Sequence, residues 1–313
     1  MTKEPARAKP GNSQLSLGID IGSTKALGVV LDADQAVVAE AAMFSRRGEK
    51  GVKAVLMELA RALAAKAGVG LRDFDSVGVG IPGVVDRKTG EITSAVNLRI
   101  EHLALGKAIA RHFSVPVRLD NDVKATVVGA GMLLDSLSVT YVNFGTGLAA
   151  ATLAGRLIRG RDNLAGEIGH LVVHREGTPC RCGQRGCLET VVGGSYLAPM
   201  MARLGLDWTK LDRTDSPVGQ EFHTEVVDVV ARIITLVGVA YGSDHIVLGG
   251  GVVQAAPWLL PEVRRLLIER GGVATFPPYV RLAEQTVFLK EDIRLPAIGC
   301  ALIGQGWTEG YKR

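Results

Sequence analysis

The sequence repeats one strand–turn–strand pattern. The first copy is LSLGIDIGSTKALGVVLD, in which two apolar runs flank a turn at Gly22. The second copy is SVTYVNFGTGLAAATLAGRLI, in which an apolar run and a run of small residues flank a turn at Gly145. Short apolar runs bounded by glycine are typical of buried strands joined by hairpins. The repetition predicts two related α/β lobes that face one ligand.

A polar residue precedes each glycine turn at the same spacing, since aligning Gly22 with Gly145 places Asp20 opposite Asn143. Phosphate oxygens must approach backbone N–H groups closely, and a side chain in the turn would obstruct them. The two turns therefore predict a polyphosphate gripped from both sides. The alternative is that the glycines only permit tight hairpins.

A third glycine cluster, at residues 249–251, follows the apolar run of DHIVLGG. It does not match GxGxxG, and no acidic residue is placed to bind the ribose of a dinucleotide. The cluster therefore disfavours a nicotinamide-dependent enzyme.

Length and composition favour a two-lobed enzyme. The chain has 313 residues, more than one hydrophobic core usually supports. Its 47% hydrophobic and 22% charged residues are ordinary for a soluble globular enzyme. The net charge of +4 is spread without a run of like charges, which favours small anionic ligands over nucleic acid.

The sequence also predicts where the protein is located. No segment is long and apolar enough to span a membrane. Residues 1–14 are polar and lack the apolar centre of a secretory signal. We therefore expect a flexible N-terminal leader at 1–14, no membrane partner and a cytoplasmic location.

The segment PVRLDNDVKATVVGAGML predicts a strand, then Asp120-Asn121-Asp122, then an amphipathic helix. Asn121 or Asp120 is a suitable N-cap, and Asp122 then lies near the positive end of the helix dipole. One interpretation is a helix cap alone. The other makes Asp122 a carboxylate at a strand end in a cleft, where it accepts a hydroxyl proton during phosphoryl transfer.

The segment GEIGHLVVHREGTPCRCGQRGCLE contains one imidazole and three thiols, at His170, Cys180, Cys182 and Cys187. This set matches a closed tetrahedral site without an open coordination position, so we predict a structural zinc ion. Free cysteines or a labile disulfide are the alternative, and a disulfide conflicts with a cytosolic protein. Cys300 lies outside the motif, and we expect it to be dispensable for zinc binding.

Two carboxylates, Glu167 and Glu189, flank the predicted zinc ligands. Carboxylates held beside a rigid metal site can accept hydrogen bonds from neighbouring sugar hydroxyls. The alternative is that both are solvated surface charges. If the zinc site shapes a sugar pocket, we expect its loss to weaken sugar binding and turnover, with ATP affinity less affected.

These segments resemble the ROK family of bacterial sugar kinases and sugar-responsive repressors, over residues 17 to about 304. DIGSTK is similar to the first phosphate motif of the family, GIPGVVD to its interlobe segment, LDND to its catalytic motif and FGTG to its second phosphate motif. GEIGH with CRCGQRGCLE resembles its signature and zinc site. The resemblance implies an α/β, two-lobed actin-like (ribonuclease H-like) ATPase fold, in which ATP and Mg²⁺ meet a hexose in an interlobe cleft.

The expected division of the chain follows this fold. The smaller lobe is expected at residues 15–120, with the C-terminal segment 296–313 packing back on it. The larger lobe, with the zinc motif, is expected at 121–295. The resemblance also implies a homodimer or a dimer of dimers.

The resemblance assigns roles residue by residue. Asp122 is the general base that deprotonates the attacking sugar hydroxyl, and Asp20 orients Mg²⁺ through water. The implied sugar-binding set consists of Gly83, Asn97, Asn121, Asp122, Glu167, His170 and Glu189. The implied nucleotide-binding set consists of Asp20, Gly22, Ser23, Thr24, Lys25, Gly145, Thr146, Gly147, Gly249, Gly250 and Gly251.

Some positions depart from the family pattern. Ser23 stands where the first phosphate turn often has a second glycine, and LAA at 148–150 follows GTG where glycines are usual. These changes leave the predicted polar set intact and bear on turn geometry and nucleotide affinity.

The predicted function is ATP-dependent phosphorylation of a hexose hydroxyl, with glucose to glucose 6-phosphate as the first choice. The alternatives are a kinase for N-acetylglucosamine, N-acetylmannosamine, mannose or fructose, and a noncatalytic sugar-binding protein stabilised by zinc. Repressors that resemble this chain carry a winged helix-turn-helix before the first phosphate motif, and the residues before Asp20 leave no room for one. We therefore expect no nucleic-acid partner.

Overall fold

The computed structural model describes residues 14–273, 278–289 and 294–307. The predicted leader at 1–14 lies outside these residues except for Gln14, and so do residues 308–313 of the predicted C-terminal segment. The described residues form two compact units. Unit 1 extends to Ala125 and also contains Pro296–Trp307, and unit 2 is Thr126–Leu295.

The described part of the chain contains thirteen strands and ten α-helices. The strands are β1 (Ser16–Ile21), β2 (Lys25–Leu31), β3 (Val37–Phe44), β4 (Ser76–Ile81), β5 (Val84–Asp86), β6 (Glu91–Ala95), β7 (Ile100–Leu103), β8 (Val117–Asn121), β9 (Ser138–Phe144), β10 (Leu148–Ala154), β11 (Arg156–Ile158), β12 (His245–Gly249) and β13 (Thr286–Phe288). The α-helices are α1 (Gly48–Lys66), α2 (Leu105–Ala110), α3 (Asp122–Leu133), α4 (Glu189–Val192), α5 (Gly194–Leu204), α6 (Pro217–Tyr241), α7 (Gly251–Gln254), α8 (Leu259–Val273), α9 (Pro278–Gln285) and α10 (Leu295–Gln305). Short 3-10 helices lie at Val96–Leu98, Arg161–Asn163, Ile168–His170 and Trp208–Arg213.

The main sheet of unit 1 has the strand order β3-β2-β1-β4-β8. β1, β2 and β3 pair antiparallel, and Asp20 lies opposite Leu27 across the first hairpin. β4 and β8 continue the sheet as parallel strands. The meander predicted from the first glycine turn is confirmed. Because parallel strands end at the same edge of a sheet, Asp20 on β1 and Asn121 on β8 lie at one edge.

α1 packs its apolar face on this sheet. Leu56, Leu59 and Leu63 follow the three- and four-residue spacing of one helix face, and all three are fully buried. Burial of a leucine side chain stabilises a fold by about 1.5–3 kcal/mol. β5, β6 and β7 form a separate antiparallel sheet in the same unit.

α10 returns the chain to unit 1. Ala301 in this helix is fully buried. Gln305 Nε2 donates a hydrogen bond to Ser16 Oγ on β1 at 2.8 Å, and the Arg118 guanidinium on β8 donates to the Gly304 carbonyl oxygen. The end of α10 is thereby attached to the central strand β1 and to the edge strand β8 of the main sheet of unit 1.

The main sheet of unit 2 has the order β11-β10-β9-β12-β13. β9, β10 and β11 pair antiparallel, and β12 and β13 continue as parallel strands, as in unit 1. Asn143 on β9 lies opposite Ala149 on β10 and Gly249 on β12. The predicted second hairpin is confirmed, and so is the strand before the third glycine cluster.

The boundary between the units lies in α3, after Ala125, whereas the predicted lobes meet at residue 120. The difference arises because Asn121 still pairs with Ile81 in the sheet of unit 1. Asp122 therefore belongs to unit 1. The lobe limits stay predictions. Of the helices that the structure describes, none has both the length and the apolar composition that crossing a membrane requires.

Candidate functional site

Asp20 is a buried carboxylate near the end of β1. Its side chain is 7% exposed, and its Oδ1 has no hydrogen-bond partner within the described part of the chain. Burial raises the pKa of the Asp20 carboxyl well above its ordinary value, and the negative charge of Asp122 raises it further. A buried polar atom without a partner is costly unless water or a ligand binds it. Asp20 therefore has the properties of a binding-site residue.

The first glycine turn directs its side chains to solvent. The Gly22 N–H donates to the Lys25 carbonyl oxygen at 3.0 Å, and the Ser45 N–H donates to the Thr24 carbonyl oxygen at 2.9 Å. Thr24 and Lys25 are exposed. Ser23 is not among the described residues with positive φ, so serine fits this turn without backbone strain.

Asn121 is the N-cap of α3. Its Oδ1 accepts hydrogen bonds from the N–H groups of Val123 at 3.0 Å and Lys124 at 3.3 Å. Its Nδ2 donates to the Gly83 carbonyl oxygen at 3.3 Å. The predicted helix cap is confirmed, and it fixes Asp122 as the first residue of α3.

Asp120, the residue before the cap, is held by contacts within the protein. Its side chain is fully buried, and its Oδ1 accepts from the Asn121 N–H at 2.9 Å. Arg87 Nε lies 3.5 Å from Asp120 Oδ2. Asn97, which was predicted to bind sugar, is exposed on the 3-10 helix Val96–Leu98 in the same unit.

The second glycine turn, in unit 2, lies against Glu189. The Gly145 N–H donates to the Gly147 carbonyl oxygen at 3.0 Å. The Leu148 N–H donates to Glu189 Oε2 at 3.0 Å, and Glu189 is only 9% exposed. A Cβ atom at Gly147 would overlap the Glu189 carboxylate. A larger residue at this position would displace the Glu189 carboxylate from the turn.

The second glycine turn is also attached to the start of α5. The Gly194 N–H donates to the Gly145 carbonyl oxygen at 2.9 Å, and the Ser195 N–H donates to the Thr146 carbonyl oxygen at 2.9 Å. α4 and α5 directly follow the last predicted zinc ligands in sequence. The segment that carries the predicted zinc ligands and the second glycine turn therefore form one connected structure.

The third glycine cluster lies beside the second turn. Gly249 pairs with Asn143 at the end of β9, and Gly250 has φ +93° and lies against the carbonyl group of Phe144. Trp208 Nε1 donates to the Val252 carbonyl oxygen at 2.9 Å, which holds the start of α7. Unit 2 thus brings two of the three predicted glycine segments together.

The GEIGH motif packs on β10 through its two glycines. Cβ atoms at Gly166 and Gly169 would overlap the carbonyl groups of Ala150 and Leu148, and the Ala150 N–H donates to the Gly166 carbonyl oxygen at 2.8 Å. The glutamate of the motif, at position 167, is exposed at the start of the 3-10 helix. The motif is therefore held against β10, the strand that follows the second glycine turn.

The four predicted zinc ligands converge in unit 2, and their ligand atoms all lie within 4.8 Å of one another. His170 Nδ1 is 3.7 Å from Cys180 Sγ, and Cys182 Sγ is 3.7 Å from Cys187 Sγ. Thiolates that bind zinc tetrahedrally with Zn–S bonds of about 2.3 Å lie at a similar separation. All four cysteines of the chain are free thiols. The four side chains fit a tetrahedral zinc ion.

Gln184 belongs to the same cluster, although only its place inside the CRCGQRGC loop marks it in the sequence. Its Nε2 donates to the His170 carbonyl oxygen at 3.1 Å and to Cys182 Sγ at 3.5 Å. Hydrogen bonds from Gln184 lower the pKa of the Cys182 thiol to about 6. Burial raises the pKa of the Cys187 thiol to about 12. Because zinc binds thiolates, metal binding must release the Cys187 proton.

Arg181 connects the zinc loop to α5. Its guanidinium donates to Ser195 Oγ and lies 5.7 Å from the centre of the Tyr196 ring. Its backbone N–H donates to the Tyr196 hydroxyl oxygen at 2.9 Å. Neither partner was predicted, because the contacts join segments that no sequence motif connects.

Cys300 lies in unit 1, whereas the four predicted zinc ligands lie in unit 2. It is fully buried in α10, and burial raises the pKa of its thiol well above the ordinary value, with the charge of Asp20 as the next cause. Among the described residues, the cluster that can hold a metal does not include Cys300.

The predicted site residues fall into two groups. Unit 1 contains Asp20, the first glycine turn, Gly83, Asn97, Asn121 and Asp122. Unit 2 contains Glu167, Glu189, the second and third glycine segments and the four predicted zinc ligands. Within unit 1 the structure brings Asp20 near Asp122, and within unit 2 it joins Glu189 to the second glycine turn.

Residues 16–280 match the ROK family. A glucokinase from Halalkalibacterium halodurans is 30% identical over 264 residues, which are 75% of this chain and 76% of the relative. The DNA-binding transcriptional dual regulator NagC of Escherichia coli is 27% identical over 213 residues, which are 62% of this chain and 52% of NagC. The chain belongs to the ROK family.

Solved structures of this family are similar to the chain. The ROK hexokinase from Thermus thermophilus has a TM-score of 0.76 at 25% identity, covering 94% of this chain and 98% of that one. The ROK glucokinase from Streptomyces griseus, in complex with glucose and AMPPNP, has a TM-score of 0.73 at 23% identity, covering 93% and 99%. The predicted α/β fold of the actin-like class is confirmed.

Proposed function

We propose that this chain is an ATP-dependent sugar kinase whose preferred sugar is glucose. The observation that carries the proposal is the buried Asp20 carboxylate, whose Oδ1 has no partner among the described residues and which is near enough to Asp122 for their charges to interact. Two carboxylates held close together destabilise a fold, and such pairs are typical of catalytic sites. A protein that only binds sugar has no need of this arrangement.

Asp122 is proposed as the general base. It is the first residue of α3, directly after the Asn121 cap, so the helix start fixes its position. Its carboxylate accepts the proton of the sugar hydroxyl while that oxygen bonds to the γ-phosphorus of ATP and the bond from this phosphorus to ADP breaks.

Carboxylate and amide groups are proposed to hold the sugar. Glu189 Oε2 already accepts a hydrogen bond from the Leu148 N–H, which leaves Oε1 for a sugar hydroxyl. Asn121 uses Oδ1 for the helix cap and Nδ2 for the Gly83 carbonyl, so the second Nδ2 proton is its group for the sugar. The proposed set is completed by Gly83, Asn97, Glu167 and His170.

The glycine segments are proposed to bind ATP. The Gly22 and Gly145 N–H groups are used within their own turns, so the remaining N–H groups of segments 22–25 and 145–147 and the Lys25 ammonium are proposed to bind the phosphates. Residues 249–251 are proposed to border the adenosine. Mg²⁺, when bound with ATP, neutralises charge on the phosphates. Asp20 is proposed to orient the ion through water.

Zinc is proposed to be structural, since four protein ligands leave it no open position. The clustered free thiols support a reducing, cytoplasmic location. A homodimer or a dimer of dimers is proposed on the family resemblance.

Other sugars and two other functions are the alternatives to this proposal. N-acetylglucosamine, N-acetylmannosamine, mannose and fructose are the alternative substrates. A sugar-responsive regulator is the second candidate function, because NagC is among the relatives. A noncatalytic sugar-binding protein is the third.

The test is ADP release from zinc-loaded protein with ATP, Mg²⁺ and each sugar in turn. We expect release that depends on sugar, with the highest kcat/KM for glucose. A higher kcat/KM for an N-acetylhexosamine would replace the substrate and keep the kinase. Sugar binding without ADP release for any sugar would contradict the kinase and favour the two noncatalytic alternatives.

A further inference from the structure

Unit 1 contains a cleft that none of the proposed catalytic, sugar-binding or nucleotide-binding residues lines. It has a volume of about 490 Å³ and lies between α1 and the segment formed by α2 and the two residues after it. Small-molecule sites are typically clefts of about 300–1,000 Å³. The cleft is therefore large enough for a small molecule.

Four cations line this cleft, Lys53 and Arg61 on α1 and Lys107 and Arg111 on the α2 side. We call it the basic cleft. The spacing in each helix places two cations on one side, since Lys53 and Arg61 are eight residues apart and Lys107 and Arg111 are four apart. The floor between them is apolar and contains Met57 and Ile109, which are 8% and 1% exposed.

The charge of the basic cleft is not balanced by acidic side chains. Glu58 is the acidic residue in its lining, and Arg46, outside the lining, binds both of its carboxylate oxygens at 2.7 and 2.9 Å. Arg61 and Lys107 have no ion pair with any residue that the structure describes. Lys53 Nζ lies 3.5 Å from an oxygen of Glu49, which is 56% exposed.

Arg111 contacts an imidazole instead of an acidic side chain. Its Nε donates to His112 Nε2 at 3.4 Å, and His112 also lines the cleft. Lys107 and Arg111 are like charges four residues apart at the end of α2, and such pairs repel. A bound anion would offset this repulsion.

We propose that the basic cleft binds a small anion with two or more adjacent phosphoryl groups. Arginine guanidinium groups bind phosphate oxygens through paired hydrogen bonds, and lysines add compact positive charge. Four cations around one cavity exceed the charge of a single carboxylate and match a di- or triphosphate. The proposal does not depend on the proposed kinase activity.

The test is titration calorimetry with inorganic tripolyphosphate, in buffer without Mg²⁺, on three forms of the full chain. These are the wild type, the double variant Arg61→Glu with Lys107→Glu, and the control Arg72→Glu, which reverses an exposed cation of unit 1 outside the cleft. We expect the double variant to bind tripolyphosphate at least about tenfold more weakly than the wild type. The control should bind as the wild type does. Binding should weaken as salt rises, because the charges are near the surface.

A second measurement places the anion and guards against misfolding of the variant. Acetylation of lysines in the wild type, followed by mass spectrometry, should show that tripolyphosphate protects Lys53 and Lys107 and leaves Lys210 in unit 2 unchanged. Separate titrations with glucose 6-phosphate and orthophosphate distinguish a phosphate ester from a free polyphosphate as the source of the anion. Equal affinity of the double variant and the wild type would overturn the proposal. Unprotected Lys53 and Lys107, or binding of a short DNA duplex but not of tripolyphosphate, would also overturn it.

Discussion

Asp20 shows how one residue can be unfavourable for folding and useful for binding. Its carboxyl has a raised pKa in the folded protein, because it is buried and near the charge of Asp122. An unfolded aspartate has a pKa of about 3.9. Between these two values the native state binds more protons than the unfolded state, so stability falls as the pH rises through this window. Above the unfolded pKa, the Asp20 carboxyl therefore lowers the stability of the fold.

Replacement of this carboxyl by an amide should reverse the effect. Without Mg²⁺ and at pH 7.5, we expect Asp20→Asn to raise the free energy of unfolding by about 1–3 kcal/mol, because the amide keeps the shape of the side chain and removes both the buried ionisable group and its repulsion by Asp122. Below the unfolded pKa the gain should vanish. Urea unfolding across a pH series measures this.

The matched control is Asp86→Asn. Asp86 is exposed, and backbone N–H groups of Lys88 and Thr89 lower the pKa of its carboxyl. Its replacement should remove stability above the unfolded pKa, the opposite sign to Asp20→Asn. If Asp20→Asn destabilises the protein at pH 7.5, the assignment of Asp20 as an unfavourable buried carboxylate is wrong.

Asp122 is the residue to which the proposed chemistry assigns proton transfer. We expect Asp122→Asn to lower kcat by about 10²–10⁴-fold, the usual contribution of a general base. Sugar affinity and thermal stability should be retained, because the amide has nearly the same shape and the Asn121 cap of α3 is unchanged. Turnover, sugar titration and thermal unfolding measure these effects. Near-normal turnover would remove Asp122 from the base role.

At the scale of elements, the contact between the second glycine turn and Glu189 depends on the absence of a side chain at Gly147. The Cβ atom in Gly147→Ala would overlap the Glu189 carboxylate, which accepts the Leu148 N–H. We expect a loss of about 1–3 kcal/mol in the free energy of unfolding, typical of overpacking, and weaker binding of both sugar and ATP. Gly251→Ala is the control for stability, because a Cβ there meets no atom within 4 Å. Equal stability of the two variants would contradict the contact.

The zinc segment is expected to act on two ligands rather than one. The sequence alone predicts that ATP affinity is less affected by zinc loss. The structure changes this expectation, since the N–H groups of Gly194 and Ser195, at the start of α5, donate hydrogen bonds to the second glycine turn. Loss of zinc should therefore loosen both the sugar-binding carboxylates and this turn.

The corresponding variant is Cys182→Ser. We expect it to lose zinc, to unfold at lower temperature and to raise KM for both sugar and ATP, with catalytic efficiency reduced on the order of a hundredfold. Cys300→Ala should keep its zinc, because Cys300 lies outside the ligand cluster. Metal analysis, steady-state kinetics and thermal unfolding measure this. A zinc-free, fully active Cys182→Ser protein would show that the metal does not organise the site.

At the scale of the whole molecule, the repeated hairpin could be predicted from the sequence because glycine and apolar runs mark it locally. The zinc ligands could be predicted because four of them lie in one short segment. The contacts of Glu189 with Leu148 and of Gly194 with Gly145 could not, because they join positions that are distant in sequence and leave no periodic pattern. The short sheet of β5, β6 and β7 was also missed, because strands such as EITSA lack regular alternation.

The same strand order in both units explains why the sequence repeats. Asp20 and Asn143 occupy equivalent places, each on the strand that pairs antiparallel with one neighbour and parallel with the next. One position carries a carboxylate and the other an amide. The two hairpins therefore differ in charge at equivalent positions.

The central claim is the proposed transfer of phosphate from ATP to a sugar. The most direct measurement follows ADP and sugar phosphate together, by mass spectrometry, in zinc-loaded wild-type protein and in Asp122→Asn. We expect glucose to yield equal amounts of ADP and glucose 6-phosphate in the wild type, and neither product above background in the variant. Absence of sugar phosphate with every hexose and N-acetylhexosamine offered to a folded, zinc-loaded wild type would contradict the claim.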